Sequence, residues 1–151
     1  NYPLGMCYSD DGGKTWSERK LIVPPGPSPW LPDDAFYQDE LAHRSPAPLL
    51  LRDGRIILQF ARRISSKRGI GMIVSDDGGK RWSPDLILRD DASMYQKTRV
   101  RGISTEYSDI GYPLACEFED KRIFTAYYFM VEDGTIFGGA RFNAGSYFRL
   151  A

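Results

Sequence analysis

A phenol and two carboxyl groups lie close together in the last third of the chain. Glu106 and Asp109 precede Tyr112, and either carboxylate could activate a hydroxyl group or orient an arginine. Carboxylates in such segments also cap turns by accepting hydrogen bonds from backbone N–H groups. The spacing therefore leaves a catalytic role and a capping role open for both residues.

Four arginines are candidates for binding a negatively charged group. Arg99 and Arg101 alternate, so they share one side if the segment is extended; the other interpretation is a solvated basic stretch. Arg62 and Arg44 lie near the ends of predicted strands and are weaker candidates. A guanidinium group is planar, permanently charged and able to hold a carboxylate through two hydrogen bonds.

Other chemistries lack the residues that they need. His43 is the only histidine, and a surface or loop position without metal is the favoured interpretation. The chain has no G-x-S-x-G, no phosphate-binding glycine loop and no cysteine pair with zinc spacing, so we expect no metal and no cofactor. The 20 basic and 20 acidic side chains balance, which gives no support for nucleic acid as a partner. No apolar run is long enough to span a bilayer.

One eight-residue phrase occurs twice, 66 residues apart, as SDDGGKTW from Ser9 and SDDGGKRW from Ser75. Each copy lies between two apolar runs, which predicts a β-hairpin. Glycine allows a positive φ, aspartate accepts hydrogen bonds from turn N–H groups, and tryptophan can fold back over the hairpin. Neither copy has the ligand pattern of a calcium loop. We expect a structural role for Ser9, Asp11, Gly13, Trp16, Ser75, Asp77, Gly79 and Trp82.

Strand and turn signals divide the chain into three units separated by a proline-dense segment at 24–32. Four antiparallel strands per repeat are typical of a β-propeller blade, and no helical period is present, so the predicted fold class is all-β. The predicted strands fall at the two ends of 1–23, at 48–51, 56–61, 70–74 and 85–88 within 43–90, and at 111–118, 122–130 and 135–142 within 103–151.

The two cysteines, Cys7 and Cys116, lie in apolar runs. This position favours two buried free thiols, although a disulfide between them stays open.

The repeated phrase resembles S-x-D-x-G-x-T-W, the Asp-box of sialidases and related BNR-repeat proteins, with Arg81 in place of threonine. Asp109 to Pro113, followed by Arg122-Ile123 and Tyr127-Tyr128, is similar to the final blade of bacterial sialidase-like proteins. The resemblance implies a propeller with six four-stranded blades when complete. This chain would supply about two and a half: the end of one blade (1–23), a complete blade (43–90) and the last blade (103–151). The remainder would come from an N-terminal part that precedes this sequence.

The resemblance also implies a sialidase-like glycoside hydrolase, with sialic acid as the first substrate class. In that family three arginines clamp the substrate carboxylate, a tyrosine activated by glutamate is the nucleophile, and an aspartate is the acid/base. A neutral tyrosine is repelled less than an anion by the carboxylate at the anomeric centre. Tyr112 stands at the nucleophile position, and Arg99 or Arg101 would be a clamp member.

The alternative is a non-catalytic BNR-repeat propeller that binds carbohydrate or protein. Pro113 stands where the family usually has serine, a form shared by sialidase-like proteins of unproven activity. No segment supplies a clear R-I-P motif, acid/base aspartate or activating glutamate; Arg44-Ser45-Pro46 resembles the motif only weakly. A glycan partner and a secreted or periplasmic location follow from the resemblance alone.

Overall fold

The computed structural model describes residues 4–23, 43–62, 68–92, 95–100, 103–107, 110–131 and 140–151. These residues form eleven β-strands and no helix, so no membrane-spanning helix occurs among them. The strands are β1 (Leu4–Met6), β2 (Lys20–Val23), β3 (His43–Leu50), β4 (Ile56–Arg62), β5 (Gly69–Ser75), β6 (Leu86–Arg89), β7 (Tyr95–Val100), β8 (Ile103–Tyr107), β9 (Gly111–Glu117), β10 (Ile123–Val131) and β11 (Ala140–Phe148).

All strand pairs are antiparallel, and neighbours in sequence are neighbours in space. β1 pairs with β2, and β7 pairs with β8. The order β3-β4-β5-β6 forms the four-stranded sheet, and β9-β10-β11 forms the three-stranded sheet. The all-β prediction is therefore confirmed. Neighbouring strands pair because short glycine- and aspartate-rich turns join them.

Most predicted strands are observed, and the last one ends later than predicted. The strands expected in 43–90 form the four-stranded sheet, with His43 as the first residue of β3. The strand expected at 135–142 is observed over Ala140–Phe148, and 135–139 lie outside the described residues. The β7–β8 hairpin was not predicted.

The four-stranded sheet is packed on both faces, as the alternation of side chains along β4 shows. Leu58 and Phe60 face the β1–β2 sheet, where they form a core with Leu4 and Ile73. Ile57 and Ala61 point the other way, toward the buried side chains of β10. Because the sheet is covered on both faces, five consecutive residues of β4 are buried. The sequence of β4 is accordingly almost continuously apolar instead of alternating.

Polar contacts between described residues join the four-stranded sheet to the three-stranded sheet. The buried Gln59 side chain donates a hydrogen bond of 2.7 Å to the Thr125 hydroxyl. At the ends of β3 and β9, the Arg52 N–H donates to the Glu117 carboxylate at 2.7 Å. These bonds fix the register between sheets, because apolar packing alone is not directional.

The stacked sheets have two distinct ends. We call one the turn end, which carries the turns 51–55, 76–85 and 118–122. We call the other the Tyr112 end, which carries the starts of β3 and β9 and the ends of β4 and β10. Because the Ser45 hydroxyl lies beside Gly111 and Arg52 beside Glu117, β3 and β9 run side by side in the same direction.

Candidate functional site

Side-chain hydrogen bonds hold the first SDDGGK turn. The Asp11 carboxylate accepts bonds from the N–H groups of Lys14 and Thr15 at 2.9 Å and from the Thr15 hydroxyl at 2.6 Å. Ser9 Oγ accepts a bond of 2.8 Å from the Gly13 N–H and donates to Asp11. The Thr15 hydroxyl, with the Thr15 N–H and the Ser9 hydroxyl, holds the pKa of Asp11 far below its usual range.

The second turn repeats this network with one exchange of donor. Asp77 accepts 2.8 Å bonds from the Arg81 N–H and from Arg81 Nε, which replaces the threonine hydroxyl of the first turn. Ser75 Oγ again accepts from a glycine N–H, that of Gly79, at 2.8 Å. Arg81 is the largest cause of a strongly lowered Asp77 pKa. Threonine and arginine are thus interchangeable here because either can donate to the carboxylate.

The structural repeat extends one residue beyond the phrase. The hydroxyls of Ser17 and Ser83 accept 3.0 Å hydrogen bonds from the N–H groups of Tyr8 and Val74, respectively. The serine N–H groups donate back to the carbonyl groups of the same two residues. A serine after each tryptophan was present in the sequence and was the signal for this closure.

The two tryptophans differ in burial. Trp82 Nε1 donates 3.0 Å to the Gly79 carbonyl, and its ring packs against the core that Leu58 and Ile73 share with the β1–β2 sheet. Trp16 lies over Gly13 in the same way, yet it is 63% exposed. Folding back over the hairpin therefore buries little of the Trp16 ring, because no described strand packs on it.

Both turns are expected to tie protein stability to the ionisation of their aspartates. The folded pKa of Asp77 lies below the unfolded value of about 4, so its contribution is present above that pH and lost as pH falls through the folded pKa. Asp77→Asn should lower the thermal unfolding midpoint at pH 7, and the difference from wild type should shrink below pH 4. Asp76→Asn is the matched control, since Asp76 accepts none of these bonds; equal loss in both variants would contradict the prediction.

Tyr112 is the second residue of β9 and lies at the opposite end of the sheets from the second SDDGGK turn. It has a φ of 54° and is 68% exposed, on the outward face of β9. Beside it is an open groove of about 490 Å³, with an apolar wall and three phenol groups, one of which is that of Tyr112. The groove is lined by Tyr112, Leu114, Ala126, Tyr127, Tyr128 and Asn143.

Arg62 is held by an ion pair. Its Nη1 lies 3.1 Å from Asp85 Oδ2, with the side chains 14% and 26% exposed. The two side chains meet over Gly71, where a Cβ atom would lie only 2.8 Å from Asp85 Oδ1 and 2.9 Å from Arg62 Cδ. Burial raises the pKa of Asp85, and the charge of Arg62 opposes the shift. Arg62 shares the face of Phe60, which is turned away from the three-stranded sheet, and its substrate-binding role stays a prediction.

The other predicted site residues are placed only in part. Arg44 lies in β3 and pairs with Ala61, and Arg99 lies in β7 opposite Ser104. Glu106 lies in β8, in the same hairpin as Arg99. Arg101 and Asp109 lie outside the described residues. The clamp and activation roles assigned to this group therefore remain predictions.

Sequence reasoning missed the polar groups that border the groove. Tyr128 and Asn143 are opposite each other in the β10–β11 register, and the predicted end of the last strand at 142 excluded Asn143. A second cluster, which does not line the groove, was also missed: Arg89 binds Asp91 through two hydrogen bonds of 2.6 and 3.0 Å and lies 4.0 Å above the Phe129 ring. The Asp91 hydrogen bonds are the main reason that the pKa of Arg89 is raised. The arginine–x–aspartate spacing was the only sequence signal for this cluster.

The cysteines and possible metal ligands form no site in the described part of the chain. Cys7 and Cys116 are free and exposed, so the expected burial is wrong. Cys116 alternates with Ala115 and Glu117, which turn toward the four-stranded sheet, and it therefore lies on the outward face of β9. Within the described ranges, no three histidine, cysteine or carboxylate side chains are placed to hold a metal ion.

One of the comparisons with known proteins identifies the repeat. The BNR/Asp-box repeat family matches residues 8–18 and 73–84. A crystal structure of a protein of unknown function from Dyadobacter fermentans DSM 18053 is similar, with a TM-score of 0.58 and 23% identity. The match covers 93% of this chain and 29% of that one, and at this identity it concerns the fold alone. No protein with a curated description matches the chain.

Proposed function

We propose that this chain, a protein with two BNR/Asp-box repeats, contributes to a sialidase-like glycoside hydrolase in which Tyr112 is the nucleophile. The observation that carries the proposal is the exposed Tyr112 side chain beside a groove walled by tyrosines and Asn143. Aromatic rings bind the apolar faces of sugars, and an amide can bind sugar hydroxyls. Hydrolysis of a terminal glycosidic bond, with sialic acid as the first candidate, is the reaction assigned to this site.

A β-propeller is the architecture that we propose around this site. The β1–β2 sheet, the four-stranded sheet and the three-stranded sheet pack in succession through the cores around Phe60 and Phe129. The outward face of the three-stranded sheet exposes Leu114 and Tyr147, which a further sheet would bury. Six four-stranded blades would make the complete propeller, with units 1–23, 43–90 and 103–151 as its parts.

A non-catalytic carbohydrate-binding propeller is the second candidate. Its supporting observation is that the described lining of the groove contains no carboxylate and no guanidinium group. Acid/base catalysis of glycoside hydrolysis needs such a carboxylate within hydrogen-bond reach of the reacting oxygen. In the hydrolase proposal it would come from residues outside the described ranges.

Removal of one hydroxyl tests the proposal in the whole protein that contains this sequence. Tyr112→Phe should lower turnover of a fluorogenic sialoside by at least about a hundredfold, because the nucleophilic oxygen is lost. Tyr147→Phe is the control: Tyr147 is similarly exposed on the same sheet, at the turn end, and the loss of its hydroxyl should leave turnover unchanged. Full activity of Tyr112→Phe would refute the nucleophile. No turnover by wild type, together with retention on a glycan array, would favour the binding protein.

A further inference from the structure

A second cavity lies between the two SDDGGK repeats. It is an open cleft of about 880 Å³, larger than the groove beside Tyr112. Residues of the first hairpin form one wall, and residues 78–80 of the second turn form the other. We call this cavity the inter-repeat cleft. Because the second turn lies at the turn end, the cleft is remote from Tyr112, and it shares no lining residue with the groove.

Contacts between the two repeats hold the walls of the cleft in place. The Met6 side chain packs on Gly79, where a Cβ atom would lie 3.1 Å from the Met6 methyl carbon. The Lys20 ammonium group donates a hydrogen bond of 2.6 Å to the Lys80 carbonyl group. The second turn is fixed in addition by the hydrogen bonds of Asp77. The cleft is therefore formed before a ligand binds, which lowers the cost of ordering its walls.

The polar character of the first wall is not a requirement of the hairpin. Tyr8, Glu18 and Lys20 line the cleft, and the equivalent positions of the second repeat, 66 residues later, hold valine, proline and leucine. The second hairpin nevertheless closes with the same pair of serine hydrogen bonds. The hairpin thus forms equally well with apolar residues at these three positions. The phenol, carboxylate and ammonium groups of the first repeat need another explanation.

Several of these groups are available to a ligand. The Tyr8 side chain is 59% exposed and presents an aromatic ring to the cleft. Among the described residues, no side-chain hydrogen bond or ion pair engages the carboxylates of Asp10 and Glu18 or the ammonium group of Lys80. The lining as a whole contains three cationic and two anionic side chains. A strongly charged ligand of either sign would therefore be repelled by part of the lining.

We propose that the inter-repeat cleft is a binding site for a neutral sugar, separate from the site at Tyr112. The Tyr8 ring contacts the apolar face of the sugar. The carboxylates of Asp10 and Glu18 accept hydrogen bonds from sugar hydroxyls, and the Lys80 ammonium group donates to a sugar oxygen. A peptide rich in either charge fits less well, because the lining holds groups of both signs. The proposal does not depend on hydrolysis at Tyr112, since none of the groove residues takes part in it.

The test compares wild type with Tyr8→Val in the whole protein that contains this sequence. Valine is the residue that the second hairpin has at this position, so the variant should keep a thermal midpoint close to that of wild type. On an array of neutral oligosaccharides, wild type should retain at least one that the variant loses. Calorimetric titration with that oligosaccharide should show affinity at least about tenfold weaker for Tyr8→Val, because the aromatic contact is lost. Glu18→Gln should weaken it about three- to tenfold, as expected for one weakened hydrogen bond.

Tyr147→Val is the matched control, since Tyr147 is 62% exposed but lies on the three-stranded sheet. It should leave the affinity unchanged. Identical array profiles for wild type and Tyr8→Val, including retention of no oligosaccharide by either, would overturn the proposal. Affinity that falls with Tyr112→Phe and not with Tyr8→Val would place the sugar in the groove and would also overturn it. Tyr8-dependent retention on an array of acidic peptides alone would assign the cleft to a peptide instead.

Discussion

Gly69→Ala is expected to destabilise the protein by about 3 kcal/mol or more, among the largest effects of any single methyl addition to the described strands. A Cβ atom on Gly69 would lie 1.8 Å from the Arg89 carbonyl oxygen and 2.6 Å from its carbon atom. Both atoms belong to the backbone of the neighbouring strand. The added methyl group therefore cannot be accommodated by a change of rotamer.

The neighbouring strand is also prevented from moving aside. Arg89 is the last residue of β6, and its guanidinium group is fixed between Asp91 and the face of Phe129. A shift of β6 away from Gly69 would break these contacts as well as the pairing of Ile70 with Arg89. The cost of the methyl group therefore includes the loss of the β5–β6 edge.

Gly5→Ala is the control in a denaturant-unfolding comparison. The nearest atoms to its added Cβ are Cγ and Cδ of Arg19, at 3.2 Å, and this side chain is free to rotate. Gly5→Ala should change the free energy of unfolding by no more than about 0.5 kcal/mol. Equal midpoints for the two variants would mean that β5 and β6 are not as close at Gly69 as described.

The repeated phrase accounts for most of what the sequence predicted correctly. Its glycines and aspartates determine hairpin turns through local hydrogen bonds, so the positions of β1, β2, β5 and β6 followed from spacing alone. Burial was less predictable. Trp16 and Trp82 have nearly the same local sequence, and their exposure differs because, among the described strands, a second sheet packs against Trp82 and none packs against Trp16. Packing between sheets is non-local and leaves no mark on an eight-residue phrase.

The candidate site was predictable only through its tyrosine. The position of Tyr112 at a strand start followed from the similarity to the sialidase-like last blade. The positive φ of Tyr112 did not, because its sequence suggests an ordinary extended residue before proline. The ion pair of Arg62 with Asp85 was also missed, since the two residues meet across Gly71 from different strands. Contacts of this kind depend on register, which single-sequence patterns constrain weakly.

Phe129→Ala is expected to lower the free energy of unfolding by about 4 kcal/mol, because it opens a cavity in the core of the three-stranded sheet. Phe129 is fully buried, packs edge-on to Tyr127 with ring centroids 5.6 Å apart, and shares a core with Ile70 and Ile110. Its face also carries the guanidinium group of Arg89. The substitution should therefore loosen the contact between β6 and β10, beside the groove.

Phe142→Ala separates burial from aromatic contact. Phe142 lies 6.4 Å from the Phe129 centroid and 5.8 Å from the Arg89 guanidinium carbon, but it is 37% exposed. Because its removal leaves no closed cavity, we expect the free energy of unfolding to fall by about 1 kcal/mol.

Denaturant unfolding of Phe129→Ala, Arg89→Met and the double variant should give a coupling energy of about 0.5–1 kcal/mol for the cation–π contact. Additive losses would mean that the Phe129 ring does not help to hold Arg89 and that Phe129 stabilises the Tyr112 end through packing only.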